Sequence, residues 1–241
     1  MKQLNLTSAN SINIGRILPQ IVYYFYAYSH IADKLEPVVF SVPSGNFGNS
    51  LGCEFARRMG LPVKKIIIAT NENDEFPKFL RTGTYKKVYP SKICLSNAMN
   101  VGNPSNLARY FELYGGTIDK DGIVHKKPNI KGMAKNLYSA PISDNKTAKT
   151  IKETYKKYNL IVEPHGAVGI AALKEYSKID KKTWAICIET ADPAKFPEII
   201  KKELKINPEL PDSMEEIYKR KGCPIYMPNS YNDFKNYLLK Q

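Results

Sequence analysis

The chain has 241 residues, 43% of them hydrophobic, enough to bury a core as one large domain or one and a half small ones. It holds no run of about 18 apolar residues, its start "MKQLNLTSANS" has neither an apolar signal core nor an Arg-rich transit pattern, and its four cysteines (Cys53, Cys94, Cys187, Cys223) are widely spaced. No membrane partner and no metal site are therefore expected, and reduced, packing cysteines in a cytoplasmic protein are. The net charge of +13 comes from 30 lysines and only 6 arginines, the lysines scattered as doublets such as Lys64-Lys65, Lys86-Lys87 and Lys181-Lys182. Readers of bases and phosphates favour the bidentate fork of Arg, so a solvated surface is expected here and no nucleic-acid partner.

Ile14, Ile17, Leu18, Ile21, Val22 and Phe25 recur at helical spacing, which predicts a helix over 12–34 with Ser11 as N-cap and Pro19 as a kink or the true first turn. "PVVFSV" reads as a buried strand, followed by the loop "PSGNFGN" and the helix "SLGCEFARRMG", which ends at Gly60 before Pro62. "VKKIIIAT" is a second strand and "DEFPKFLRTG" a helix. The stretch 84–145 is less regular, with one helix at "SNLARYFELYG" closed by Gly115-Gly116. Helix "TAKTIKETYKKYN", strand "LIVE", helix "GAVGIAALKEYSK", strand "TWAICIET" and helix "AKFPEIIKKEL" complete the alternation. Apolar strands alternating with helices predict an α/β fold: an open, mostly parallel sheet with helices on both faces. After Leu210-Pro211 two short helices are expected as a C-terminal helical tail over 211–241, against an α/β portion over 1–210 in which 1–35 is a helix and inter-domain segment.

In such sheets ligands bind beyond the carboxyl ends of the strands, where "PSGNFGN" and "ETADPAKF" lie. Gly45 and Gly48 let the main chain turn tightly and approach a ligand, and successive N–H groups ahead of a helix N-terminus suit a phosphate. Asn46 and Asn49 add uncharged side-chain donors. An ordinary strand-to-helix turn with asparagine caps fits the same pattern. The loop is neither a Walker loop, for no Gly-Lys-Ser/Thr follows, nor the dinucleotide GxGxxG.

"SVPSGNFGN" resembles the phosphate-binding loop of threonine synthases, pyridoxal-phosphate enzymes of the tryptophan-synthase-β-like fold (fold type II). "TSANSINIGRILPQIVYYFYAY", "MGLPVKKIIIATN", "SNAMNVGNPSNLARYFELY", "EPHGAVGIAAL", "ETADPAKFPEII" and the tail "LPDSMEEIYKR" follow that family's order, from about Leu6 to the end. The resemblance implies pyridoxal 5'-phosphate as cofactor, held at its phosphate by Gly45, Asn46, Phe47, Gly48 and Asn49 and at its pyridine nitrogen by Thr190. A hydroxyl at 190 would not keep that nitrogen protonated, which tempers the ring as an electron sink; read without the family, Thr190 is a strand-end hydroxyl satisfying backbone. Asn10, Ser11, Asn13, Arg16, Ser105, Asn106 and Arg109 suit a phosphorylated amino acid, O-phosphohomoserine, with the two arginines as anion partners; helix capping by Ser11 and Ser105 and exposed or structural arginines are the plainer readings. Asn100 stands where the family more usually has Asp, and Asp192 where many members have His. His165 reads as a loop or capping residue, not a general base.

The family's lysine that forms a Schiff base with the cofactor lies in an N-terminal Phe-Lys-Asp motif with no counterpart in these 241 residues. The catalytic residue is thus unassigned, and the expectation is a C-terminal portion of a threonine synthase (O-phospho-L-homoserine and water to L-threonine and phosphate) that is inactive alone. Its expected partners are the missing N-terminal portion and, through apolar surface laid bare in that portion's absence, other copies of itself. The alternatives are a pyridoxal-phosphate phospho-lyase acting on phosphothreonine-like substrates and a non-catalytic member of the fold that binds a ligand or partner chain.

Overall fold

The computed structural model describes residues 8–31 and 35–240. Two 3₁₀ turns, Ile14–Arg16 and Leu18–Gln20, lead into α1 (Ile21–Ser29), then β1 (Val38–Pro43), α2 (Gly48–Arg58), β2 (Val63–Thr70) and α3 (Glu75–Thr82). A long connection with a 3₁₀ turn at Asn97–Met99 reaches α4 (Leu107–Leu113), the hairpin β3 (Thr117–Ile118) and β4 (Val124–Lys126), α5 (Ile130–Asn136) and β5 (Leu137–Pro141). The chain continues through α6 (Asp144–Tyr158), α7 (Pro164–Tyr176), β6 (Ala185–Cys187), a 3₁₀ turn at Pro193–Lys195 and α8 (Pro197–Leu204). Residues 10–208 form one compact unit; residues 209–240, with α9 (Asp212–Lys219) and α10 (Tyr231–Leu239), belong to a second.

The main sheet has the order β5-β2-β1-β6 and every pairing in it is parallel. Its helices cover both faces because side chains alternate along a strand. Val38, Phe40, Val42, Ile66 and Ile68 pack with Leu51 and Ala56 of α2 and with Tyr24 of α1. Val39, Ile67 and Ala69 point the other way and pack on Val168, Ala171 and Ala172 of α7. β1 stands between β2 and β6, so the chain leaves its carboxyl end towards one neighbour and later returns on the opposite side. The order of the strands reverses there, which opens a crevice at that end of the sheet.

Several predicted elements differ in detail. The helix expected over 12–34 begins only at Ile21, after Pro19, and within the described residues ends at Ser29; residues 32–34 lie outside the described residues. Its buried side is Ile17, Tyr24 and Tyr28, with Ile21 partly buried, whereas Ile14, Leu18, Val22 and Phe25 remain exposed. The segment "LIVE" is not a strand: α6 ends at Asn159 in the left-handed region and Pro164 already opens α7, leaving four residues for the turn. Val162 packs there with Ile151, Ala167 and Ile200. The strand read from "TWAICIET" is ordered for only three residues, at the sheet's edge. β5 went unread because "LYSAP" is short and lies in a segment without periodicity, and pairing with β2 makes it a strand.

Candidate phosphate and cofactor site

Residues 44–49 carry the chain from the end of β1 into α2. The residue with positive φ is not a glycine but Phe47, at φ 62° and ψ 14°. A large residue rarely adopts this region. Its ring supplies the compensation, being almost fully buried and packed edge-on against Phe76 and Tyr110, with centroids at 5.0 and 6.3 Å. Phe47 is thus the anchor of the loop, and no side chain caps α2. Ser44 N–H donates to the Ala69 carbonyl at 2.9 Å and Leu51 N–H to the Phe47 carbonyl at 3.0 Å. Of the six backbone N–H groups between them, those of residues 45–49 donate to no acceptor among the described residues, and Ser50 N–H donates to Asn49 Oδ1 at 2.8 Å. N–H groups left without an acceptor in such a row at a helix start form a concavity for an anion.

The asparagines serve differently from the expectation. Asn49 spends its amide on the loop itself, Nδ2 donating to the Pro43 carbonyl at 2.7 Å. Asn46 Oδ1 accepts from Ser105 N–H at 3.2 Å, and the Asn46 carbonyl accepts from Asn106 Nδ2 at 2.8 Å. Gly45 is required by close approach. A Cβ there would lie 2.6 Å from the Ala98 carbonyl oxygen and 3.0 Å from Met99 Cα.

A cavity of about 360 Å³ opens beside the loop, within the range of small-molecule sites, roughly 300–1,000 Å³. The loop lends it Pro43, Gly45 and Asn49, the 97–99 turn lends Ala98 and Met99, and the first turn of α7 lends His165. The segment after β6 supplies Thr190, Ala191, Lys195 and Phe196. The structure therefore brings Thr190 to the same cavity as Gly45 and Asn49, although about 140 residues separate them in sequence. An N–H row for a phosphate, one hydroxyl and a cationic Lys195 suit a phosphorylated pyridine ring.

Beside His165 two carboxyl groups meet, that of the buried Glu163 and that of Glu189. Glu163 caps α7, and its carboxylate accepts from His165 N–H at 2.7 Å, from Gly166 N–H at 2.8 Å and from His165 Nδ1–H. Glu189 is exposed as a residue, yet its carboxyl end is tucked against Gly166 and accepts from Glu163 N–H at 3.3 Å. Desolvation of that end, with the Glu163 charge next to it, pushes the Glu189 carboxyl up to about 8. Cys187 is pushed up to about 12 by burial and by the Glu189 charge, and stays a thiol.

The residues expected to meet a phosphorylated substrate form a second group beside the loop. Arg109 donates to the carbonyls of Ser11 at 3.1 Å and Ile12 at 2.6 Å and to Asn106 Oδ1. Asn106 Nδ2 also donates to Ser11 Oγ at 3.0 Å. Together they lash the 10–13 segment to α4 and to the loop. Asn10 Oδ1 accepts from Ile12 N–H and Asn13 Oδ1 from Gly15 N–H, both at 3.0 Å, while Ser105 and Arg16 are exposed. Asn100 Oδ1 accepts from Asn71 Nδ2 at 2.9 Å and Cys94 N–H at 3.1 Å, and Asp192 Oδ1 caps Ala194 N–H at 2.8 Å. Each of these two departures from the family pattern thus has a local structural role. His165 is not in a loop; it is buried in the first turn of α7 and faces the cavity. The signal for it in sequence was Glu-Pro-His, a cap and an N1 proline with a histidine beside them. Lys195 was legible only as part of "ADPAKF".

Comparison with known proteins identifies the family. A family model described as "Threonine synthase, C-terminal" matches residues 166–238. Threonine synthase of Haemophilus influenzae is 37% identical over 241 residues, covering 98% of this chain and 52% of that protein. The crystal structure of pyridoxal-phosphate-bound threonine synthase from Brucella melitensis superposes with a TM-score of 0.87 at 29% identity, covering 98% of this chain and 53% of that one. That of the Escherichia coli enzyme gives 0.84 at 33% identity, covering 99% and 52%. The chain belongs to the threonine synthase family, and it spans about half the length of the relatives it matches.

Proposed function

We propose that this chain is the part of a cytoplasmic threonine synthase that holds pyridoxal 5'-phosphate by its phosphate and ring nitrogen, in the conversion of O-phospho-L-homoserine and water to L-threonine and phosphate. The observation that carries the reading is the row of N–H groups at 45–49 opening on the same cavity as Thr190. Gly45, Asn46, Phe47, Gly48 and Asn49 bind the cofactor phosphate through main-chain N–H groups, and Thr190 takes the pyridine nitrogen. The cofactor, when bound, supplies an electron-withdrawing ring that lets carbon-bound protons of the amino acid leave. A neutral hydroxyl at 190 orients that ring without protonating its nitrogen. Lys195 contributes positive charge where an anionic substrate enters. Asn106 and Arg109 position the loop and the 10–13 segment, and Asn10, Ser11, Asn13, Arg16 and Ser105 border the substrate side. The nucleophilic lysine comes from a second polypeptide segment, the partner that completes the site.

The test pairs binding with turnover. Inorganic phosphate and pyridoxal phosphate are titrated against the labelled chain by amide NMR, and threonine formation from O-phospho-L-homoserine is measured with and without a polypeptide matching the rest of the relatives' length. Shifts centred on 45–49, no threonine from the 241-residue chain alone and restored turnover with the second polypeptide are expected. Turnover by the chain alone, or shifts confined to surface lysines, would overturn the reading.

A further inference from the structure

The loop at 45–49 is anchored within by Phe47 and Asn49, and at Gly45 it rests on the backbone of the 97–99 turn. The Ala98 carbonyl oxygen and Met99 Cα stand so near Gly45 that a methyl group could not be inserted between them. That turn is closed by its own backbone, Met99 N–H donating to the Ser96 carbonyl and Asn100 N–H to the Asn97 carbonyl, and its middle residue is held by a side chain distant in sequence. Ala98 N–H donates to His165 Nε2 at 3.2 Å. Nε2 can accept only if the proton of the neutral ring is on Nδ1, and Nδ1–H is held by the buried Glu163 carboxylate. Glu163 is in turn fixed by the two N–H groups it caps, so the ring has one tautomer and one orientation. Phe196, from the third wall of the cavity, packs on the same ring with centroids at 5.2 Å. The turn, α7 and the segment after β6 all meet at this imidazole.

From this relay we infer that His165 is the positioning residue of the anion loop: through Ala98 it sets the backbone against which Gly45 rests, and with it the direction of the N–H groups of residues 45–49. The inference rests on the phosphate reading for its functional meaning, but its structural content is separate. His165 cannot act as a base while Nε2 accepts from a backbone N–H, and its part is to hold that N–H in place. Removing the acceptor leaves Ala98 N–H unpaired and frees the turn to move away from Gly45. A lost net hydrogen bond in such a place corresponds to about a fivefold to tenfold weaker anion affinity.

The full chain is prepared as His165→Gln, whose carbonyl oxygen reaches the Nε2 position, and as His165→Leu and His165→Asn, which place no acceptor there. Thermal unfolding reports whether each variant folds. Amide exchange of Ala98 and the amide shifts of residues 45–49 are read without ligand, and inorganic phosphate, pyridoxal phosphate and unphosphorylated pyridoxal are then titrated. The expected result is faster Ala98 exchange and moved 45–49 amides in Leu and Asn, near-native values in Gln, and about tenfold weaker binding of the two phosphate-bearing probes in Leu. Pyridoxal should bind alike in all. Native positions of the 45–49 amides in the Leu and Asn variants would overturn the inference, as would a Gln variant as impaired as Leu. If the native chain binds no phosphate, the phosphate reading fails while the ligand-free exchange and shifts still decide this one; if Leu does not fold, Asn against Gln decides it.

Discussion

Replacing Gly45 by alanine tests the geometry on which the site depends. The new Cβ would meet the Ala98 carbonyl oxygen at 2.6 Å and Met99 Cα at 3.0 Å, where ordinary contact begins at 3.4 Å. Both neighbours are backbone, and the turn that carries them is tied down through Ala98 N–H to His165 and Asn100 Oδ1 to Cys94 N–H. The loop cannot retreat freely either, because Phe47 is locked between Phe76 and Tyr110. Overpacking of this kind costs about 1–3 kcal/mol. Whatever strain is relieved by shifting the loop misdirects the N–H groups, and each charge-assisted bond to a phosphate is worth about 1.5–3 kcal/mol. Phosphate and pyridoxal phosphate affinity should therefore fall by roughly tenfold to a hundredfold. Gly48→Ala is the internal control. Its Cβ meets side-chain atoms, Ser11 Cβ at 3.2 Å, Asn106 Nδ2 at 3.6 Å and Ser11 Oγ at 3.7 Å, and position 48 is the first residue of a helix. It should cost less than about 1 kcal/mol and leave affinity within a factor of about three. Urea unfolding gives the stabilities and titration the affinities. Gly45→Ala with native stability and native binding, or Gly48→Ala as the more harmful change, would refute the reasoning.

Further expectations concern the ring partner, pH and the exposed face. Thr190→Val should weaken pyridoxal phosphate binding about fivefold by removing one hydrogen bond, and Thr190→Ser should retain it, as measured by titration of cofactor absorbance. Burial raises the Glu75 carboxyl to about 8, desolvation of its carboxyl end beside the Glu163 charge does the same for Glu189, and Glu75 Oε2 has no partner among the described residues. The folded chain therefore keeps protons that the unfolded chain has released above 4.5. Their contribution is complete below that value and declines as pH rises to about 8; Glu189→Gln and Glu75→Gln should each flatten the fall in a urea-unfolding series. Leu18, Val22, Tyr23 and Tyr26 are 51%, 62%, 61% and 66% exposed on one stretch of chain, an apolar surface that favours association. Sedimentation should show self-association of the 241-residue chain that Val22→Lys with Tyr26→Lys reduces; a monomer that binds no hydrophobic dye would count against it.

Where the cause of structure is local, the sequence is informative. Pro19 delays α1 to Ile21, Pro164 and Glu163 start α7, and the all-apolar runs in β1 and β2 mark strands buried on both faces. The glycines of "PSGNFGN" marked the turn, although the left-handed residue is Phe47, whose aromatic packing outweighs its backbone preference. That β5 is a strand and "LIVE" is not has one reason: a short apolar segment becomes a strand only if a neighbouring edge is there to pair with it. "LYSAP" found β2, and "LIVE" lies in the turn between two helices.

The parallel α/β alternation, the strand-to-helix turn at 44–49 and the family were thus legible in the chain alone, because propensity, capping and motif spacing act between residues near in the chain. What the polar side chains do depends on partners brought in from far along the chain. Arg109, legible as an anion partner, is occupied by the Ser11 and Ile12 carbonyls, and His165, legible as a cap, also holds Ala98. Those partners are 98, 97 and 67 residues away. Whether a guanidinium is free for a ligand, or an imidazole for a proton, depends on which carbonyl or N–H the sheet order brings within about 3 Å of it. That order is set by the packing of both sheet faces, where Val39 and Phe40, adjacent in sequence, join different cores.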